Sequence, residues 1–301
     1  MINFLITRCT TKDMAGVAMI NGFANGMSKL CDDPKFGVLV FEQDYKEQKV
    51  GEWPLLKQFI ANRPEIDDAF AWADCCIDLG GLCRGYDPYR EQYISRCRAK
   101  GIQYIYGPVS FVNPDPKIVK GIPAVARGAN SSNAYIKATG EFPLIAPDIS
   151  FLVEPAKVNW KDVSEHWDGY GNFVAVTTHK GKPWEWFKDG AELLGKRGIF
   201  QVIFKDSKGS LSEPILTNCG GSGPPEALYG IIRDSKQVWT CRYHAAVAAI
   251  MAGIEYVFPP GMPNHGKYED LASWGGRDLQ SIRDEAMEAC KYIKETIDGS
   301  S

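Results

Sequence analysis

Several features that would narrow the function of a 301-residue chain at once are missing from this one. It has no Cys-x-x-Cys pair and no cysteine–histidine spacing suited to zinc, although nine cysteines are present: Cys9, Cys31, Cys75, Cys76, Cys83, Cys97, Cys219, Cys241 and Cys290. Scattered and odd in number, they read as reduced, mostly buried thiols, and no bound metal is expected. No apolar run reaches the roughly 18 residues a membrane span needs, and the opening Met-Ile-Asn-Phe-Leu-Ile-Thr reads as a strand rather than a basic leader. The expectation is a cytoplasmic protein without a membrane span. An excess of basic charge is also missing, since 34 Lys and Arg stand against 37 Asp and Glu for a net charge of -3. Nucleic acid or an anionic membrane would therefore have to be met by a local patch. No Gly-Lys-Ser/Thr closes a glycine loop, and no Gly-x-Gly-x-x-Gly follows the first strand, which disfavours a P-loop and a dinucleotide site. Internal repeats and low-complexity segments are absent, and Gly299-Ser-Ser301 alone reads as a loose tail.

What is present is an ordinary globular composition, 45% hydrophobic and 24% charged, on a chain long enough for two lobes of about 150 residues. Short β-rich runs alternate with helical ones, the pattern of parallel sheets with crossover helices. Strands are expected at Asn3–Thr7, Gly37–Phe41, Cys75–Leu79, Gln103–Tyr106 and Ala124–Ala126. Helices are expected at Ala15–Leu30, Trp53–Asn62, Tyr89–Lys100 and Asn130–Ala138. After the polar segment 154–171 a second series follows, with strands at Phe173–Thr177, Phe200–Phe204, Ile215–Thr217, Val238–Trp239 and Tyr256–Phe258. Its helices are expected at Trp184–Lys196, Glu226–Arg233 and Ala245–Ala252. A closing helix, Arg277–Ile297, carries Leu279, Ile282, Ala286, Ala289, Cys290 and Ile293 on one face. The expected fold class is α/β, two Rossmann-like lobes facing a central cleft. The expected division is 1–150, 151–276, and a helix 277–301 returning to the first lobe. In open parallel sheets of this kind, ligands bind outside the carboxyl ends of the strands.

The strongest candidate site is the mouth of the helix that follows Thr240. Ala245 through Ala252 leave no polar face, so that helix should be buried, and its first turn gathers free backbone N–H groups and the positive end of the dipole. Arg242 and His244 stand there, an anion-gripping group and a group that titrates near neutral pH. A structural ion pair for Arg242 and a satisfied histidine are the plainer alternative. Asp78-Leu-Gly80-Gly81 places a carboxylate and two glycines at the end of an expected central strand, either to admit a substrate to the backbone or merely to turn tightly. Gly220, Gly221 and Ser222, between an expected strand and helix, form a loop suited to an anion or to a tight connection. Arg127 ends a strand, and its planar guanidinium suits two-point contact with carboxylate or phosphate.

These blocks carry a resemblance. Thr240-Cys-Arg242-Tyr-His244 with its small-residue helix and Gly253-Ile254 resembles the C-terminal motif of the polysaccharide pyruvyl transferase family. In the same order as in that family, Ala73-Asp-Cys-Cys-Ile-Asp-Leu-Gly80-Gly81-Leu82 is similar to a strand and glycine turn. Ala124-Val-Ala-Arg127-Gly-Ala-Asn-Ser131 and Ala146-Pro-Asp148-Ile-Ser-Phe151 resemble its arginine and Pro-Asp blocks. Together they span roughly residues 70 to 275. The chain departs from the family at Gly128, where an acid is usual and Asp148 is the candidate substitute. It departs again at Thr10-Thr-Lys12-Asp13 in place of a glycine–aspartate signature, and at Glu255 in place of proline.

The resemblance implies a GT-B-like architecture with an acceptor-side first lobe and a donor-side second lobe. The implied donor is phosphoenolpyruvate, an anionic small molecule held by Arg242, Arg127 and the helix mouth, with Lys267 nearby. His244 would be general acid, Asp78 a further catalytic group, and a sugar hydroxyl the acceptor of a pyruvate ketal; no cofactor is implied. The alternative within the same shape is a glycosyltransferase using a nucleotide sugar, with Arg242, Lys267 and the helix end neutralising the leaving diphosphate. Its acceptor would be a glycan, a small metabolite or a modified base in DNA, with Trp160, Trp167, Trp184 and Trp186 available for stacking. A non-catalytic binding protein is the third reading. Oligomeric state is not set by any of these patterns.

Overall fold

The computed structural model of the protein describes residues 1–9, 14–40, 56–60, 66–154, 173–178, 200–205, 232–240, 242–258 and 266–299. These fall into two compact units, one of 1–12, 16–152 and 264–301, the other of 13–15 and 153–263. Both are α/β.

The first unit is built on strands β1 (Ile2–Thr7), β2 (Pro34–Val40), β3 (Leu56–Ile60), β4 (Cys75–Asp78), β5 (Leu82–Gly85), β6 (Gln103–Pro114), β7 (Ala124–Ala126) and β8 (Leu144–Ile145). They pair in parallel in the order β3-β2-β1-β4-β6-β7-β8, with β5 on β6. The last four residues of β1 and all of β4 are buried. Strands covered on both faces are expected to carry apolar runs rather than alternation, and Phe4-Leu5-Ile6 and Cys75-Cys76-Ile77 are such runs. The chain leaves β1 towards β2 on one side, while β4 leads to β6 on the other, so the switch in winding falls between β1 and β4. Pro108 sits inside β6 without an N–H to give, and the β6–β7 register shifts between Tyr106 and Pro108.

The helices of this unit are α1 (Met14–Ser28), α2 (Ile66–Trp72), α3 (Pro88–Lys100), α4 (Pro116–Val119) and α5 (Ala129–Thr139). A 3-10 turn at Ile149–Leu152 follows, and α7 (Lys267–Ala272) and α8 (Leu279–Asp298) complete the set; the helix between α5 and α7 in chain order, α6 (Tyr243–Ala252), lies in the other unit. Asp87 starts α3 by accepting from the Tyr89 and Arg90 amides at 3.0 and 3.3 Å, Pro88 occupies the first helical position, and left-handed Gly101 ends it. On one face of the sheet Leu5, Phe70, Tyr93, Tyr104, Tyr106, Phe111 and Tyr135 form a continuous core. Phe4, Phe23 and Phe36 also meet one another, with ring centroids 5.5 to 6.1 Å apart. The apolar stripe of α8 is buried at Ile282, Ala286, Ala289, Cys290 and Ile293, and Cys290 lies where a side chain on Gly26 of α1 would have to go.

The second unit is described as four parallel strands in the order β10-β9-β11-β12: β9 (Phe173–Thr178), β10 (Phe200–Lys205), β11 (Gln237–Thr240) and β12 (Glu255–Val257). The crossover from β11 to β12 is α6 (Tyr243–Ala252).

One expectation fails outright. Residues 53–62 read as a helix, yet Leu56–Ile60 is a strand paired with β2 from Phe36–Leu56 to Val40–Ile60. Pairing overrides local preference here: Phe59 meets Trp72 at 5.5 Å, and Gly37 lacks the Cβ that would collide with both rings. The short elements α2, β5, α4 and α7 carry too few residues to show a period and were not anticipated. The boundary expected at 276 also differs, because residues from 264 onward cluster with the first unit. Expected elements at Ile215–Thr217 and Trp184–Lys196, and most of Glu226–Arg233, lie outside the described residues.

Candidate functional site

In the second unit the chain turns from β11 into α6 at Arg242. The buried Thr240 hydroxyl accepts from the Arg242 amide at 2.8 Å, which closes the turn and leaves Arg242 extended (φ -108°, ψ 128°) as the residue that starts the helix. Arginine has no acceptor to offer the first turn, and no side-chain cap bond is made there. The carboxyl end of β11 therefore delivers a guanidinium and the start of a helix to one place. His244 is the second residue of the helix, half-buried, with its ring 5.2 Å from that of Tyr243. From Ala245 to Ala249 every residue is buried, and left-handed Gly253 ends α6 by donating to the Ala249 and Ile250 carbonyls. Thr240-x-Arg242-x-His244 is thus a local design. It could be read from sequence because the strand end, turn and helix start are consecutive.

In the first unit Asp78, Gly80, Gly81 and Arg127 do come together, but as framework. Asp78 has no exposed surface. Its carboxylate accepts from Arg90 Nε at 2.7 Å and Nη2 at 3.2 Å, from the Tyr104 hydroxyl at 2.7 Å and from the Gly80 amide at 2.8 Å. A carboxylate so enclosed and paired holds its neighbours, which places the residue expected to be catalytic within the framework of the β4 turn. Burial works against the charge on Arg90, but Asp78 outweighs it and holds the guanidinium above its usual range. Burial, with Asp78 adding to it, pushes Tyr104 and Tyr106 well up, so both stay neutral donors. Arg127 is equally enclosed: it pairs with Asp148 at 2.7 Å, donates to the Gly81 carbonyl at 2.9 Å and contacts Met19 Sδ. Through these contacts it clamps the β4 turn. Gly80 is required by packing, since a Cβ there would lie 2.6 Å from Arg8 Cβ and 2.8 Å from Arg90 Nη2.

The acid absent at position 128 comes from α7 as well as from Asp148. The Asp270 carboxylate accepts from the Asn130 and Ser131 amides at 2.8 and 3.0 Å, and a Cβ on Gly128 would stand only 2.6 Å from it. Trp274 Nε1 donates to the Arg127 carbonyl at 2.9 Å, tying the same segment to the end of β7. Lys267 lies in this segment of the first unit, its ammonium 4.8 Å from the centre of the Tyr268 ring. Arg242 and His244 belong to the second unit. Gly220, Gly221, Ser222 and Trp160, Trp167, Trp184 and Trp186 lie outside the described residues.

Arg8 was missed by sequence reasoning. It is the first residue after β1 and has left-handed backbone (φ 60°), and its guanidinium pairs with Asp87 at 2.7 Å. The available signal was position alone: a charged residue directly after the first buried strand. Among the described residues no group of three or more metal-binding side chains occurs, and no helix is long and apolar enough to cross a membrane. Of the seven cysteines described, all are free thiols and all but Cys31 are buried.

Comparison with known proteins gives likeness at the level of structure. No family model matches the chain, and no curated protein matches it, so the likeness to pyruvyl transferases rests on the four sequence blocks. Among solved structures, the chain is similar to UDP-GlcNAc 2-epimerase from Neisseria meningitidis bound to UDP-GlcNAc, at 10% identity and TM-score 0.60, over 100% of this chain and 94% of that one. It is similar to UDP-N-acetylglucosamine 2-epimerase from Rickettsia bellii, at 9% identity and TM-score 0.57, over 98% and 96%. It is also similar to Arabidopsis thaliana UGT89C1 complexed with UDP, at 9% identity and TM-score 0.51, over 100% and 94%. At such identities the likeness shows the fold, which is GT-B-like α/β.

Proposed function

We propose that the protein is a GT-B-type glycosyltransferase that takes a nucleotide sugar as donor and a sugar-bearing molecule as acceptor. The observation that carries this reading is the β11–α6 junction, where Arg242 and the start of a buried helix coincide at the carboxyl end of a parallel strand. A diphosphate matches that chemistry: Arg242 supplies two-point, charge-assisted hydrogen bonds, and the helix N–H groups and dipole favour the negative charge. The structural neighbours that carry UDP or UDP-GlcNAc lend the donor its class. In the reaction an acceptor oxygen bonds to the anomeric carbon as the bond from that carbon to the diphosphate oxygen breaks. The electron pair leaves with the diphosphate, whose charge Arg242 and the helix start stabilise, and the hydroxyl proton is lost. His244, in the first turn, donates a hydrogen bond to the phosphates.

A second reading has its own observation in favour. The spacing Thr240-x-Arg242-x-His244 with a small-residue helix is that of the pyruvyl transferase resemblance. In it Arg242 and the helix start hold the phosphate and carboxylate of phosphoenolpyruvate, and His244 protonates its methylene carbon.

Thermal unfolding with UDP, UDP-sugars and phosphoenolpyruvate, followed by mass spectrometry of products, separates the two. A ligand at a hundred times its Kd adds about 2.7 kcal/mol of stability. Stabilisation by UDP and a glycosylated product are expected. Stabilisation by phosphoenolpyruvate alone, or an epimerised nucleotide sugar without transfer, would overturn the glycosyltransferase reading.

A further inference from the structure

We propose that Arg8, Asp87 and Tyr89 form a subsite in the first unit for the hydroxyl groups of a neutral sugar. This subsite deepens the transferase reading and rests on it for its role as the acceptor site. Its place follows from topology. Arg8 is the first residue after β1 and Gly80 the second after β4, and the winding of the sheet switches between these two strands. That switch opens a crevice outside the strand ends where open parallel sheets bind their ligands.

The construction is specific. A non-glycine residue with left-handed backbone is strained and persists where the surroundings over-determine it. Here Gly80 lacks the Cβ that Arg8 Cβ would strike, so the β4 turn is cut to let Arg8 pass. Its guanidinium then pairs with Asp87 at 2.7 Å and lies 5.7 Å from the centre of the Tyr89 ring. Asp87 is itself fixed, by the two α3 amides it caps and by Arg90, which the buried Asp78 holds in turn. Arg8 Nε has no hydrogen-bond partner among the described residues, and 43% of Tyr89 is exposed.

Charge decides the ligand. Two guanidinium groups, Arg8 and Arg90, are matched by two carboxylates, Asp87 and Asp78, so the cluster is neutral. The helix start that Asp87 caps, that of α3, is already filled by a carboxylate, and Glu91 beside it accepts from the Tyr86 hydroxyl. A phosphate would meet Asp87 and Glu91 at a helix start whose dipole already faces a carboxylate. A pyranose has what fits: adjacent hydroxyls that accept from Arg8 and donate to Asp87, and an apolar ring face for Tyr89.

The test is ligand-observed NMR on the full chain with the methyl glycosides of glucose, galactose, mannose and N-acetylglucosamine, with inorganic phosphate as a separate probe and UDP titrated in parallel. Binding of at least one glycoside in about the millimolar range is expected, weakened about tenfold or more by Tyr89→Ala and by Arg8→Gly, with UDP affinity retained. Glycine relieves the left-handed strain at position 8, and Tyr89 is partly exposed, so both variants should fold, as melting temperature would verify. No glycoside binding, glycoside binding unaltered in both variants, or phosphate binding lost in Arg8→Gly would each overturn the subsite. Failure of UDP to bind while glycosides bind through Arg8 and Tyr89 would overturn the proposed donor and leave the subsite standing.

Discussion

Arg242, His244 and Asp78 are all chemistry-bearing side chains at strand ends, but their surroundings assign them different work. Arg242 is the residue that starts α6, and its side chain makes no cap hydrogen bond there. Arg242→Ala should weaken UDP binding by about 10- to 100-fold, the worth of a lost charge-assisted pair, while melting temperature stays near the parent's. Isothermal titration and a thermal scan measure both. His244→Gln separates two chemistries: glutamine keeps a hydrogen-bond donor but cannot transfer a proton. Turnover should fall by less than about tenfold if His244 only donates to a diphosphate, and by about 10²–10⁴ if it protonates carbon. Asp78→Asn should act on stability instead, because it leaves Arg90 charged in the core. A loss of about 3–5 kcal/mol in denaturant unfolding is expected, with UDP affinity unchanged in the protein that remains folded.

At the scale of elements, the amino end of α5 and the segment carrying α7 are joined through a glycine that must stay small. Asp270 fills the volume of an absent residue-128 side chain and caps α5 from about 140 positions away in sequence. Gly128→Ala should therefore destabilise the fold. Asp270→Ala should cost about 1–2 kcal/mol as a lost cap, and the double variant should be less damaged than the sum of the two. A strictly additive result in chemical denaturation would deny that the two positions share one space. The strand Leu56–Ile60 shows the same non-local logic. Its hydrogen bonds go to β2 and its Phe59 ring to Trp72, neither of which a window of ten residues contains.

For the whole molecule, the burial of thiols sets an alkaline limit. Burial pushes Cys83 and Cys290 from the ordinary 9.0 to about 12, and Tyr93 from 10.0 to about 12. Folded values raised above unfolded ones mean the contribution to stability is complete below pH 9 and is lost as pH rises towards 12. Each such thiol should lower the unfolding free energy by about 1.4 kcal/mol per pH unit in that window. Urea unfolding between pH 8 and 11 should follow that slope, and Cys83→Ala should flatten it. Under the proposed mechanism the leaving diphosphate is stabilised by Arg242 and backbone N–H groups. Turnover in excess EDTA should then remain within a few-fold of the untreated rate, and an absolute requirement for magnesium or manganese would count against that handling of charge.

The sequence by itself determined what is local or periodic. Short β-rich runs marked the parallel strands β1 and β4, glycine and proline signals bounded α3, an apolar face marked α8, and the Thr240–His244 turn was legible because strand, turn and helix start follow one another within five residues. Tertiary structure decided what depends on residues far apart. Asp78 and Arg127 looked in sequence like Arg242, charged groups at strand ends. Only folding revealed that Arg90 and Tyr104 enclose the first, and Asp148 and the Gly81 carbonyl the second. A strand end states that a side chain will reach the ligand-binding edge of a sheet. Whether that side chain is consumed by the framework or left for chemistry is set by partners 12 to 46 positions away, and burial makes pairing with those partners obligatory.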